Sequence, residues 1–397
     1  MTLKFKALGN PLLIISDNPS GLGGLARHCR DVAALAATLP EFRVAVLGRG
    51  EGNRHRFPFT LYSYPEAGGW GEGFLRGAWE EFSCGEAGVI LTLDDASRRL
   101  WFAQASAAPP ELQEWLGPGR NFLKAGYFPV DSTGPGADGG LSLEGRHALA
   151  GYDRVCAASE WGREVLRNSG RSDADWLPHG VWDSFTRVGK AKEILSWTDR
   201  IVLGCNMANQ ARKDWAVAFD CAARLKAEYG NKFLAWFHTD TAIKAWNLWA
   251  LGMDYGISNC VELTTLANDE QLAIRYSGCD VTILPSGGEG FGFPILESLA
   301  CGTGCVVTDY AAGQELVEED ARVAPIAWKV ETPHNVRRAV LSGAGFARAA
   351  QGMIEKARGD EEGRAQELSA SVEHLRWDKL RWLWERWLRS LISEGGK

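Results

Sequence analysis

Short apolar runs alternate with amphipathic stretches along most of the chain. Residues 12–16 (LLIIS), 43–47 (RVAVL), 88–93 (GVILTL), 121–130 and 153–159 read as strands in the first part; 200–205 (RIVLGC), 233–237 (FLAWF), 260–263, 281–284 and 305–308 follow in the second. Runs of this length with few polar interruptions fit parallel strands covered on both faces. Apolar positions at helical spacing fill 25–39, 160–169, 215–228 and 269–277. Strand and helix in alternation predict an α/β protein of two Rossmann-like, doubly wound domains facing a cleft. The polar stretch 187–199 separates them, giving 1–185 as the first domain and 186–373 as the second. Residues 50–88, rich in glycine and aromatics, read as loops and a helix. Residues 323–330 read as irregular or strand-like, and 339–366 as surface helices.

The end of the chain carries a separate pattern. Trp377, Leu380, Leu383, Trp384, Trp387, Leu388 and Leu391 recur at helical spacing, with Arg376, Lys379, Arg381, Arg386 and Arg389 on the other face. Two readings stay open for this stripe: a helix lying on a membrane surface, which would make peripheral membrane contact, or a helix packed into a core.

Composition narrows the classes. A chain of 397 residues with 45% apolar content can bury two cores. A net charge of −7 argues against nucleic acid or an anionic membrane as the general partner. No run approaches the roughly 18 apolar residues of a membrane span. The N-terminal residues show no signal-peptide pattern, so a cytoplasmic location is expected. The nine cysteines contain no C-x-x-C pair and no histidine cluster accompanies them; reduced, mostly buried thiols are expected, and no metal site.

The chemistry gathers at residues 285–317. The strand 281–284 ends at Pro285, and Ser286, Gly287 and Gly288 form a flexible turn. Glu289 follows, then Gly290, Phe291, Gly292 and Phe293, then Pro294. Proline favours the first helical position, so a helix should open there with Glu297 in its first turn. Loop amides and a helix start beyond a strand's C-terminal end suit phosphate or sugar oxygens. Two carboxylates beside them suit a polyol joined to a diphosphate, that is, a nucleotide sugar. A plainer reading leaves Glu289 as a solvated turn residue and Glu297 as a complement to the helix dipole.

The spacing of Glu289 and Glu297, seven residues between them, followed by Ser298-Leu299-Ala300-Cys301-Gly302-Thr303, resembles the E-x7-E signature of GT-B retaining glycosyltransferases of the family 4 type. The resemblance implies that Glu289 lies beside the donor sugar as a catalytic-site residue. Gly290, Phe291, Gly292 and Phe293 would hold sugar hydroxyls and phosphate, and Glu297 the ribose hydroxyls. Gly23 and Gly24 resemble the family's glycine-rich loop facing the donor diphosphate; they also fit a simple tight turn. The family's G-R-x4-K element puts Lys213 at the Lys position and Ala208 where Arg stands, with Arg212 as a substitute; both cations would neutralise the leaving diphosphate. The segment Tyr127-Phe128-Pro129-Val130-Asp131 resembles a family element, and Asp131 occupies the place where many relatives carry a catalytic-site His. Asp131 is therefore a catalytic candidate, or a cap to a turn. His179, in a segment like the family's hinge, reads as interdomain packing. The resemblance also implies that the last helix, within 374–397, crosses back to the first domain.

The activity implied is metal-independent transfer of a sugar from a nucleoside diphosphate sugar to an acceptor hydroxyl on a glycan, lipid or small molecule, with retained anomeric configuration and no cofactor beyond the donor. Three rivals remain. The spacing Gly21, Gly23, Ala26, with Arg49 after the second strand, also fits an NADP-dependent oxidoreductase. The missing Arg fits a non-catalytic sugar-binding protein. Bacteriophage enzymes that glucosylate hydroxymethylated DNA bases share the architecture, but residues 1–185 carry 18 Lys and Arg against 22 Asp and Glu, no general footprint for DNA.

Overall fold

The computed structural model describes residues 9–52 and 56–393. The chain divides into two compact units: Met1–Pro178 with Pro333–Asn335 and Leu380–Lys397, and His179–Thr332 with Val336–Lys379.

The first unit holds a seven-stranded sheet. Its strands are β1 (Asn10–Asp17), β2 (Phe42–Arg49), β3 (Thr60–Tyr64), β4 (Gly88–Leu93), β5 (Phe122–Phe128), β6 (Arg154–Ala157) and β7 (Asp175–Trp176), all parallel, in the order β3-β2-β1-β4-β5-β6-β7. Leu12, Leu13, Ile14 and Ile15 of β1 are fully buried, as an apolar run with helices on both faces requires. Strand β3 lies in the region read from sequence as loops and a helix. Its TLYSY segment is short and sits on the sheet edge, so only part of it is covered and no continuous apolar run marks it. Strand β5 stops at Phe128, short of the expected 130, because Pro129 has no N–H to continue the ladder.

The second unit holds a six-stranded parallel sheet. Its strands are β8 (Ile201–Asn206), β9 (Phe233–His238), β10 (Val261–Thr264), β11 (Val281–Leu284), β12 (Cys305–Thr308) and β13 (Arg322–Val323), in the order β10-β9-β8-β11-β12-β13. An antiparallel hairpin, β14 (Ala327–Glu331) with β15 (Val336–Val340), follows. The sequence reading gave no paired strands there and began surface helices at 339; the helices run instead over Gly343–Ala357 and Glu361–Ser371. The AWKVE strand is mostly exposed and so lacks the apolar signature of a core strand.

In both sheets the strand order reverses between the first strand and the fourth. That is the switch point where the C-terminal ends of open α/β sheets leave a crevice. It falls between β1 and β4 in the first unit and between β8 and β11 in the second.

The helix Trp377–Ser393 resolves the two readings of the terminal stripe. From Leu380 onward it belongs to the first unit, where Leu380, Trp384, Trp387, Leu388 and Leu391 are buried. Trp384 packs on Tyr127 at 5.0 Å between ring centroids, and its indole N–H donates to the Pro178 carbonyl at 3.0 Å. The apolar stripe is core; Trp382 stays 58% exposed on the opposite side. No helix among the described residues is long and apolar enough to cross a membrane. All nine cysteines are free thiols, and all but Cys84 are buried.

Candidate functional site at the second switch point

The segment after β11 is buried and hydrogen-bonded, where the sequence reading gave a flexible turn. The Gly287 amide donates to the Arg212 carbonyl at 2.8 Å and its carbonyl accepts from Ala339 at 3.1 Å. Ser286 forms a bridge with Lys213 and its hydroxyl donates to the Gly288 carbonyl at 2.9 Å. The loop after β8 and the loop after β11 are thereby tied together at the backbone. The chain order did not reveal this tie, because 73 positions separate Lys213 from Ser286 in sequence but one bridge joins them in space.

The tie brings three charged side chains together. Lys213 and Arg212 both reach Glu289 Oε1; the lysine contact is the shorter, and Arg212 Nη1 stands at 3.2 Å. Arg212 also donates to the Gly288 carbonyl at 3.2 Å. The Glu289 side chain is 11% exposed and that of Lys213 is 7%. Burial alone would raise the Glu289 pKa, but Lys213 and Arg212 outweigh it and hold the carboxyl below the usual range. Glu289 is therefore no solvated turn residue. A lone buried carboxylate would be strongly penalised; one with two cations in contact is stable as the anion.

The helix beyond the loop spans Phe293–Ala300, with Gly292 as its N-cap. Gly292 adopts φ 98°, in the left-handed region where only glycine is relaxed. Pro294 is the second helical residue, and no acid lies in the first turn. Glu297 is the fifth helical residue, one position later than a start at Pro294 would make it, since the chain already turns helical at Phe293. Dipole complementation at the helix start is thus not its role. Glu297 is buried, and the Tyr276 hydroxyl donates to its Oε2 at 2.9 Å. At this helix start Pro294 carries no N–H, and the Ile295 and Leu296 amides donate to the Gly292 carbonyl at 2.9 and 3.2 Å.

Several residues of the second unit stand outside the donor and catalytic candidates, His179 among them, which the resemblance put in interdomain packing. His179 is fully buried in the second unit, its ring edge-on to Phe293 at 4.4 Å and to Trp377 at 4.8 Å, so it shapes the Phe291–Phe293 loop by packing. Asn209 is fully buried and braces its own loop, donating to the Thr241 and Trp246 carbonyls at 2.9 Å each. His238, at the end of β9, has its pKa lowered to about 4 by burial and by Arg275, so it is neutral near pH 7. Tyr276 lies on the helix Asp269–Gly278 and reads in sequence as one more core aromatic.

The other candidates belong to the first unit. Gly23 caps the helix Gly24–Ala36 without a side-chain bond, and a Cβ at Gly23 would meet nothing within 4 Å. The position is open at the helix mouth, and its φ of −71° is one any residue adopts. Glycine is not demanded there by turn geometry. Asp131 lies three residues past β5, half-buried, and accepts from its neighbour Ser132 at 2.9 Å. Arg49 stacks on Trp70 at 4.4 Å and donates to the Gly69 and Glu66 carbonyls, so its charge is already engaged. Among the described residues no three His, Cys, Asp or Glu side chains form a group that could hold a metal ion.

Residues 249–337, which include both Glu289 and Glu297, match the family model of glycosyl transferases, group 1. Among solved structures, a sucrose-phosphate synthase from Thermosynechococcus elongatus superposes with TM-score 0.72 at 17% identity, over 97% of this chain and 99% of that one. Anabaena Alr3699/HepE, solved in complex with UDP and glucose, superposes with TM-score 0.69 at 15% identity, over 96% of this chain and 100% of that one. The fold is that of a GT-B glycosyltransferase. A shorter stretch of sequence is similar to the D-inositol 3-phosphate glycosyltransferase of Streptosporangium roseum, 48% identical over 48 residues; that match spans 12% of this chain and 11% of the relative. In the GT-B frame the tied loops of the second unit combine an ionised carboxylate and two cations beside the Gly290–Phe293 loop. Such a set can bind a polyol and offset the charge of a phosphate leaving group.

Proposed function

We infer that this GT-B protein is a retaining glycosyltransferase that moves a sugar from a nucleoside diphosphate sugar to an acceptor hydroxyl. The observation that carries this reading is Glu289, a buried carboxylate kept ionised by Lys213 and Arg212 beside the Gly290–Phe293 loop. In this reading Glu289 and the loop amides hold the donor sugar, and Glu297 accepts from the ribose hydroxyls. Arg212 and Lys213 offset the negative charge that grows on the diphosphate as its bond to the anomeric carbon breaks. The acceptor oxygen bonds to that carbon on the same face, and its proton passes to the departing phosphate oxygen. The two cations supply the positive charge at the diphosphate, so transfer proceeds without a metal ion. In the same reading the resemblance gives Gly23 and Gly24 to the diphosphate and Asp131 to the acceptor. Support comes from the family match across both glutamates and from neighbours of the same fold solved with UDP, with UDP and glucose, and with UDP-glucose.

The test is a thermal-shift screen against UDP-, GDP-, ADP- and TDP-sugars, followed by turnover of the stabilising donor with and without EDTA. One donor should raise the midpoint, transfer should survive the chelator, and proton NMR of the product should show the donor's anomeric configuration. Inverted product, or stabilisation by nicotinamide dinucleotides in place of every nucleotide sugar, would overturn the reading.

A further inference from the structure

Tyr276 makes an arrangement in the second unit that neither the family match nor the motif accounts for. It lies on the helix Asp269–Gly278, is 1% exposed, and its hydroxyl stands between two partners. Asn206 Nδ2, at the C-terminal end of β8, donates to the hydroxyl at 2.8 Å. The hydroxyl in turn donates to Glu297 Oε2 at 2.9 Å. The ring is fixed edge-on to Trp236 at 5.6 Å and tilted against Phe185 at 6.3 Å. A phenol so enclosed has few rotamers, so the direction of its O–H bond is set by the two polar neighbours. Burial, first, and the Glu297 charge push its pKa well above the usual value, so it remains a donor at all working pH.

We propose that Tyr276, oriented by Asn206, is the positioning residue that fixes the Glu297 carboxylate and thereby sets recognition of the donor's ribose hydroxyls. The chain of donors runs one way: amide to phenol, phenol to carboxylate. An acceptor already polarised by a donor strengthens the next bond in the chain. A carboxylate oxygen engaged by Tyr276 cannot rotate freely, so the ribose meets a preset acceptor and ordering costs less on binding. The inference rests on the ribose role of Glu297 in the proposed function. The switch point explains why this relay is available: Asn206 ends β8, Glu297 lies on the helix after β11, and these strands are adjacent.

The experiment uses full-length protein and a matched pair of probes: the nucleoside diphosphate that binds most tightly among UDP, GDP, ADP and TDP as ribonucleotides, and its 2′,3′-dideoxy form. Removing a donor to a buried carboxylate should weaken the ribonucleotide about tenfold in Tyr276→Phe, while the dideoxy form binds as to the wild type. Asn206→Ala, one step removed and carrying no change in the phenol, should show the same selectivity at about threefold. With the cognate donor the loss should appear in KM, kcat staying within about twofold. In a double-mutant cycle, Tyr276→Phe should add nothing once Glu297 is Ala. Equal loss for ribo and dideoxy probes in both single variants would mean a structural role and overturn the proposal. So would wild-type affinity in both while Glu297→Ala weakens the ribonucleotide, an outcome that leaves the ribose reading standing. If Glu297→Ala itself leaves the ribonucleotide unaffected, the ribose reading fails and this inference falls with it.

Discussion

The two switch points share a topology and differ in how they treat the carboxylates Glu289, buried, and Asp17, half-buried. In the second unit Glu289 follows β11, with Lys213 and Arg212 both on its Oε1. In the first, Asp17 ends β1 and Asp94 follows β4. There the arginines are committed elsewhere. Arg99 Nη2 meets Asp94 Oδ2 at 2.8 Å, Arg98 Nη1 meets its Oδ1 at 3.1 Å, and Arg49 lies over Trp70. Burial and the neighbouring Asp94 therefore raise the Asp17 pKa, with Arg98, Arg49 and Arg99 lowering it only in part. Glu289 shifts the opposite way. Both carboxylates lose water; what differs is whether a cation stands in contact. The lesson is that the same sheet edge can lower one carboxylate's pKa and raise another's, according to where the counter-charges stand.

The largest effect should come from removing the counter-charge at the second switch point. Lys213→Ala leaves Glu289 buried with only Arg212 beside it. Breaking a buried pair by deleting one partner costs about 3–5 kcal/mol. Urea unfolding should report a loss in that range with an unchanged m-value, and Lys213→Met should lose nearly as much, since the charge and not the stem is at issue. A loss under about 1 kcal/mol would place the pair among exposed ion pairs and erase the contrast with Asp17.

Next in size is the kinetic effect at the carboxylate itself. Glu289→Gln keeps the shape and removes the charge. If the carboxylate acts at the donor sugar during transfer, kcat should fall about a hundredfold, about 2.7 kcal/mol of barrier. The donor KM should change less than threefold, since binding also draws on the loop and Glu297. The reverse pattern, a raised KM with kcat intact, would make Glu289 a binding group only.

How much of this could be read from the chain follows the same physics. The buried parallel strands β1, β4 and β11 were legible because both faces are covered and their apolar runs have few polar interruptions. The two-unit α/β plan followed from their alternation with helices. Edge strand β3 and the exposed β14–β15 hairpin were not, since a strand without two covered faces has no continuous apolar run. At the site, Glu289 and Glu297 stood out by spacing, and Lys213 by its place after β8. The pairing of Lys213 with Glu289 did not, because it depends on a backbone bridge between loops far apart in sequence. Tyr276 was silent for a different reason. A hydroxyl on an apolar helical face changes the hydrophobic pattern too little to separate it from phenylalanine, yet it donates to Glu297 Oε2.

The smallest and most diagnostic effect lies in the acid limb of stability. The folded pKa of Glu289 is below its ordinary 4.5, so its contribution is complete above that value and disappears as pH falls through the folded pKa. The folded pKa of Asp17 is above its ordinary 3.8, so its contribution is a penalty, complete above the folded pKa and relieved as pH falls toward 3.8. The two variants should then bend the curve in opposite senses. Asp17→Asn should raise the melting midpoint at pH 7, and that gain should shrink as the pH approaches 4. Glu289→Gln should lower the midpoint at pH 7, and that deficit should shrink over the region below 4.5. Melting curves taken from pH 7 to 3.5 read both at once. Parallel curves would mean that neither group's proton affinity changes on folding; a gain for both variants at pH 7 would mean that Lys213 and Arg212 fail to offset the burial of Glu289, and the difference between the two switch points would vanish.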